Sequence, residues 1–244
     1  MIVGSNEGRN GFMVEGYNTF IDPPASLHFN HGEFAPKHDS EYAPDTGKPA
    51  DDIVKILVDP IYDPIITPSH LGGKGDRHAI PYFKAAYGLE LLRSQILGPE
   101  RFDRAFRHYI EVWAYRHPTP SDFFRLMDSD AGEDLSWFWR GWYFRTWFPD
   151  YAIENVKYTS DAKLKITILN KGWLPLPVTV LAKWTDGTTT SVQIPTEVWS
   201  RGNRHTLEIP SSRSIAAVII DPDHKIPDVD RSNNAFSAPD EPTQ

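Results

Sequence analysis

Hydrophobic positions follow two different periods along this chain, and the change falls at Pro149-Asp150. Before it the period is helical. Tyr82, Ala86, Leu89 and Arg93, with Ala85, Leu92 and Ile96, trace a stripe at i, i+3, i+4 and i+7. Gly98-Pro99 interrupts it, and Phe102, Phe106, Tyr109, Ile110 and Trp113 begin the next stripe. His117-Pro118-Thr119-Pro120 reads as a stop followed by a start, with Thr119 or Ser121 as the cap and Phe123, Phe124 and Met127 inside. A last helix opens at Gly132-Glu133-Asp134-Leu135 and runs through Trp137, Phe138, Trp142 and Phe144. These stripes predict a helical bundle with an aromatic core.

The first twenty residues predict one more helix, ended by Asp22-Pro23-Pro24, because proline cannot continue a helical ladder. Residues 23–76 are rich in Pro, Gly and His and predict a long irregular connection with one short helix near Asp51–Val58. His28, His31 and His38 fall here without Cys or acidic partners at ligand spacing, so they read as solvated loop residues. Gly72-Gly73-Lys74-Gly75 lacks the spacing of a phosphate-binding loop.

After Pro149 the period is two. Leu164, Ile166 and Ile168 face one way, with Lys163, Lys165 and Thr167 facing the other. Val178-Thr179-Val180 leads to an Asp186-Gly187 turn signal. Ser191–Ile194, Thr206–Ile209 and Ala217–Ile220 supply further strands, about seven in all, which predicts an immunoglobulin-like β-sandwich. The expected fold class is therefore α+β and multidomain, with a helical domain over 1–149, a β-sandwich over 150–236 and a disordered tail over 237–244.

Composition narrows the function. A net charge of −8 with no basic run argues against nucleic-acid binding. The absence of cysteine removes disulfides and thiolate metal sites, and no apolar run is long enough to span a bilayer. Compartment stays open; a signal peptide on a longer parent would make it periplasmic or extracellular.

Chemistry concentrates in Phe12-Met13-Val14-Glu15-Gly16-Tyr17, where one carboxylate sits among hydrophobes. A buried charge needs a partner, and a metal ion is one that would justify it. The exposed face of a helix is the alternative. Ile2-Val3-Gly4-Ser5-Asn6-Glu7 followed by Gly11-Phe12-Met13-Val14-Glu15-Gly16-Tyr17-Asn18 resembles a segment of the zinc aminopeptidases of peptidase family M1. In that family an H-E-x-x-H helix supplies two zinc-binding His and a Glu base. The third ligand is a Glu in an (N/D)-E-G-(F/Y) setting after eighteen intervening residues. Fourteen residues precede Glu15, so four of the eighteen would lie before Met1, and no H-E-x-x-H occurs in this sequence. Val14 stands where the family usually has an acid or Asn.

Two later stretches extend the resemblance over roughly residues 1–148. Pro81-Tyr82-Phe83-Lys84-Ala85 resembles the family's P-Y-E-K-G, whose Tyr assists catalysis, with Phe83 and Ala85 in place of Glu and Gly. Gly132-x-Asp134-Leu135-x-Trp137-Phe138-x-x-x-Trp142 resembles its helical tail. The resemblance implies the helical half of a thermolysin-like peptidase domain, Glu15 as a zinc ligand and Tyr82 as a hydrogen-bond donor to the oxyanion. The substrate would be a peptide or protein, hydrolysed by zinc-activated water. It also implies that the chain alone is inactive and binds zinc weakly, since one carboxylate cannot hold it. The other reading is a non-catalytic scaffold, a helical cap on an adhesion-type sandwich, with Asp228-Val229-Asp230-x-Ser232-Asn233-Asn234 as its signature. Spaced acids there, with Asp221 and Asp223, read as solvated turns rather than a calcium site.

Overall fold

The structure is a computed structural model that describes residues 2–33, 49–59, 62–71 and 79–239. It is α+β and divides into two units, Met1–Trp147 and Phe148–Gln244.

In the first unit, helix α1 (Glu7–His28) is capped by Asn6, whose side chain accepts the Arg9 N–H at 3.2 Å. It carries Pro23 and Pro24 inside it, so the expected stop at those prolines is wrong. Each proline deletes one N–H, and the helix still continues through a further turn to His28. The short helices α2 (Pro49–Asp52) and α3 (Val54–Leu57) occupy the position predicted for one, with Ala50, Ile53 and Leu57 buried. His38 and Gly72 to Gly75 lie outside the described residues.

Residues 79–96 form one rod in three registers: a π-helical turn Ala79–Lys84, helix α4 (Ala85–Leu91) and a second π-helical turn Leu92–Ile96. Gly98, at φ 81°, ends it and leads into α5 (Pro99–Trp113). Pro120 opens α6 (Pro120–Ala131), where the Asp122 carboxylate accepts the Thr119 N–H at 2.8 Å; Thr119, not Ser121, is the cap. Gly132 closes α6 in the left-handed conformation, which costs glycine nothing. Helix α7 (Ser136–Phe138) passes into a third π-helical turn, Trp139–Tyr143. The core is aromatic, as the stripes predict: Phe12, Phe102, Phe123, Phe138, Trp142 and Tyr143 are all fully buried. Edge-to-face pairs hold it, such as Tyr109 with Phe123 at 4.9 Å.

In the second unit, β1 (Tyr151–Tyr158), β2 (Lys163–Asn170) and β5 (Arg204–Pro210) make one antiparallel sheet in the order β1-β2-β5. The strands β3 (Val178–Trp184), β4 (Thr189–Ile194), β6 (Ile215–Ile220) and β7 (Ala235–Ser237) make a second, in the order β4-β3-β6-β7. Leu164, Ile166 and Ile168 are buried on β2 while their neighbours are not, so the period of two is real burial. Ile166 pairs with Leu207, and Val180 with Ile220. Gly187, at φ 84°, makes the β3–β4 turn, where Asp186 accepts the Thr188 N–H at 2.8 Å. Strand β7 reaches Ser237, which the sequence assigns to the tail; residues 240–244 lie outside the described residues.

The acidic run near the C-terminus is a set of backbone staples. Asp228, buried, accepts the N–H of Tyr151 at 2.9 Å and of Asp230 at 3.0 Å. Asp221 accepts from Lys225 and Ile226 and pairs with Arg231 at 3.1 Å. Lys171 reaches Asp150 at 3.3 Å. Those lone pairs are spent on the fold, which explains spaced acids without a cation.

Candidate functional site

Local sequence fixes the start of α1 firmly. Asn10 departs from helical angles (φ −129°, ψ 44°) and kinks the helix after its first turn. Ser69 donates its hydroxyl to the Glu7 carbonyl at 2.9 Å, and His70 Nδ1 meets the Gly8 carbonyl at 2.7 Å. Upstream, Gly4 donates its N–H to Arg116 O at 3.2 Å. The strand-like lead and the first turn are thus held from two sides.

Beyond the kink, Phe12, Met13, Val14 and Tyr17 are buried, and Glu15 is half-buried among them. The Thr19 hydroxyl donates to the Glu15 carbonyl at 2.8 Å. The Glu15 carboxylate itself makes no hydrogen bond or ion pair among the described residues. A carboxylate partly out of water with no protein partner is the feature that an external cation would complete.

The next residue explains where Glu15 is held. A β-carbon added to Gly16 would stand 2.5 Å from the Ala85 β-carbon and 2.8 Å from the Pro81 carbonyl oxygen. Only a glycine allows α1 to lie that close to the 79–91 rod. Glu15 and Tyr82 therefore flank one closest approach, each one residue from it, although 67 positions separate them in sequence. Tyr82 is half-buried within the π-helical turn Ala79–Lys84. Pro81 is the third residue of that turn. Such turns recur at functional positions because the extra residue re-aims side chains.

The rod is clamped from behind. Trp142 Nε1 donates to Lys84 O at 2.9 Å, and the Tyr143 hydroxyl to Ala85 O at 3.3 Å. The Lys84 side chain is buried, with its ammonium 5.3 Å from the Trp142 ring centre, and burial pulls its pKa down to about 8. The sequence carries a signal for this: Lys84 falls on the apolar stripe with Gly88 and Leu91, where a solvated lysine has no place. Tyr87 is half-buried, its ring 6.3 Å from Trp142.

Among the described residues no three His, Asp or Glu side chains converge as a metal group. Nor is any described helix long and apolar enough to cross a membrane.

No known family profile matches the sequence, and no curated protein matches it. Solved structures do. The crystal structure of Legionella pneumophila aminopeptidase A in complex with aspartic acid matches over 93% of this chain, with a TM-score of 0.55 and 14% identity. This chain spans 24% of that one, about a quarter of its length. At such identity the likeness is one of fold.

Proposed function

We propose that this chain is the part of a zinc-dependent peptidase of the M1 aminopeptidase type that follows its H-E-x-x-H helix. Residues 1–149 are then the C-terminal helical part of a thermolysin-like catalytic domain. The second unit is an immunoglobulin-type sandwich, a reading supported by strands 1-2-5 in one sheet and 4-3-6-7 in the other. The observation that carries the proposal is Glu15: a half-buried carboxylate, without a partner among the described residues, one residue from the point where α1 meets Pro81 and Ala85. The fold likeness to an aminopeptidase supports it.

In this reading Glu15 gives one carboxylate to the metal, and the two His come from sequence beyond these 244 residues. Tyr82 donates its hydroxyl to the oxyanion that forms when water adds to a peptide carbonyl. Trp142 and Tyr143 hold the turn that carries it. The substrate is a peptide.

The test uses a longer chain that includes the H-E-x-x-H segment. It should carry stoichiometric zinc and release peptide products, and Glu15→Ala should lose the zinc. Tyr82→Phe should lower kcat by about 10²–10³ with little change in KM, because the bond strengthens only as the oxyanion develops. Tyr87→Phe should leave the rate intact. Zinc retained by Glu15→Ala, or damage from Tyr87→Phe in place of Tyr82→Phe, would overturn the assignment.

A further inference from the structure

The first unit carries an open groove of about 480 Å³ away from Glu15 and Tyr82, lined by Phe124, Ser136, Trp139, Arg140, Phe144 and Arg145. Its floor is aromatic. Phe124 and Trp139 stack at 4.6 Å and 25°, and the Trp139 indole N–H is already given to Asp128 at 2.8 Å. Phe144 is 45% exposed.

The rim is cationic. Arg140 and Arg145 are both exposed, and neither has a carboxylate partner among the described residues. In a chain of net charge −8, these two guanidiniums line the same groove. Arg140 is also pre-positioned, its guanidinium 5.8 Å from the centre of the Trp147 ring. A guanidinium held in place loses less freedom on binding a planar carboxylate.

We propose that this groove docks an acidic peptide segment, with one aromatic or large aliphatic side chain seated on Phe124, Trp139 and Phe144 and flanking carboxylates paired to Arg140 and Arg145. Charge complementarity selects the occupant: an apolar anchor alone would leave the rim unused, and a polyanion without an anchor would leave the floor wet. Aromatic anchors and arginine pairs are the groups that dominate such contacts. The surface is independent of the peptidase reading, since it uses neither Glu15 nor Tyr82.

The experiment uses the full 244-residue chain and fluorescein-labelled Asp-Glu-Phe-Asp-Glu, followed by anisotropy at low and high salt. The expected result is saturable, salt-sensitive binding. The double variant Arg140→Glu/Arg145→Glu, which changes two exposed residues and should keep the circular dichroism of the parent, binds at least about tenfold more weakly, the loss of a charge-assisted pair. Phe144→Ala weakens it as well, and Asp-Glu-Ser-Asp-Glu binds more weakly than the Phe peptide. Four outcomes overturn the proposal. They are equal binding of Lys-Lys-Phe-Lys-Lys, indifference to the charge reversal, displacement by inorganic phosphate at matched ionic strength, and sedimentation showing that a second copy of the chain fills the groove. Absence of any saturable binding overturns it equally.

Discussion

Gly16 and Ala85 meet so closely that a β-carbon on Gly16 would lie 2.5 Å from that of Ala85. This one contact sets the distance between α1 and the 79–91 rod. Gly16 keeps ordinary helical angles, so its absence of side chain, not its backbone freedom, is what the fold uses.

Gly16→Ala should therefore destabilise the chain by about 1–3 kcal/mol, although alanine is the better helix former by about 1 kcal/mol. The Pro81 carbonyl, 2.8 Å from the new carbon, is backbone and cannot step aside. Gly8→Ala on the same helix should do the opposite and stabilise by up to about 1 kcal/mol. Its nearest neighbour is the Asn6 side-chain oxygen at 3.5 Å, an ordinary contact. Urea unfolding of the two variants side by side checks the sign of each; equal effects would remove Gly16 from this role.

The same pair shows what the sequence makes legible. Gly16 and the Pro81 stretch are visible as motifs, but no local pattern states that they touch. The stripes of Leu89 and Leu92, of Phe102 and Phe106, and the alternation of Leu164, Ile166 and Ile168 report burial directly, because periodicity is burial. Pro23 and Pro24 mislead, since propensity is local and the helix continues through them to His28. Lys84 was hidden for the opposite reason: residue type says solvent, and only its place on the stripe says core. The π-helical turns, too, leave no mark in a period that drifts by one residue.

Lys84 makes stability depend on pH in a definite direction. Its ordinary value is 10.5 and burial lowers it to about 8 in the folded chain. Between those values the unfolded chain binds more protons, so stability rises with pH across that window, and below about pH 8 the full penalty of burying the ammonium is present. That penalty is on the order of 3 kcal/mol. The contact with the Trp142 ring offsets roughly 1 kcal/mol of what a neutral replacement would gain. Lys84→Met should accordingly be more stable than the parent at pH 7, with the difference shrinking toward pH 9.5. Urea midpoints of both proteins across that range provide the check. A constant difference would show that the ammonium is not held in the core.

Tyr17 and Tyr151 are both buried, and burial pushes both phenols far above their ordinary range, yet their hydroxyls differ in a way that reverses the effect of removing them. The Tyr17 ring packs against Phe106, Tyr109 and Phe123, and its hydroxyl has no hydrogen-bond partner among the described residues. The Tyr151 hydroxyl donates to Leu174 O at 2.9 Å and accepts the Leu176 N–H at 2.7 Å, which fixes the loop entering β3. Tyr17→Phe deletes a desolvated group that gains nothing, so it should be neutral or stabilise by about 1 kcal/mol. Tyr151→Phe strands the buried Leu176 N–H, while Leu174 O keeps the Asn170 side-chain amide at 3.0 Å, and should cost about 1–3 kcal/mol. Alkaline pH adds a second signature. The unfolded chain ionises each tyrosine near pH 10 while the folded chain does not, so each phenol draws stability down above that pH. Tyr17→Phe should blunt that fall without a cost at neutral pH, whereas Tyr151→Phe should blunt it only after the neutral-pH cost has been incurred. Thermal unfolding at pH 7 and pH 10.5 separates the two. A loss of stability from Tyr17→Phe at pH 7 would mean that its hydroxyl has found a partner, such as an ordered water, inside the aromatic core.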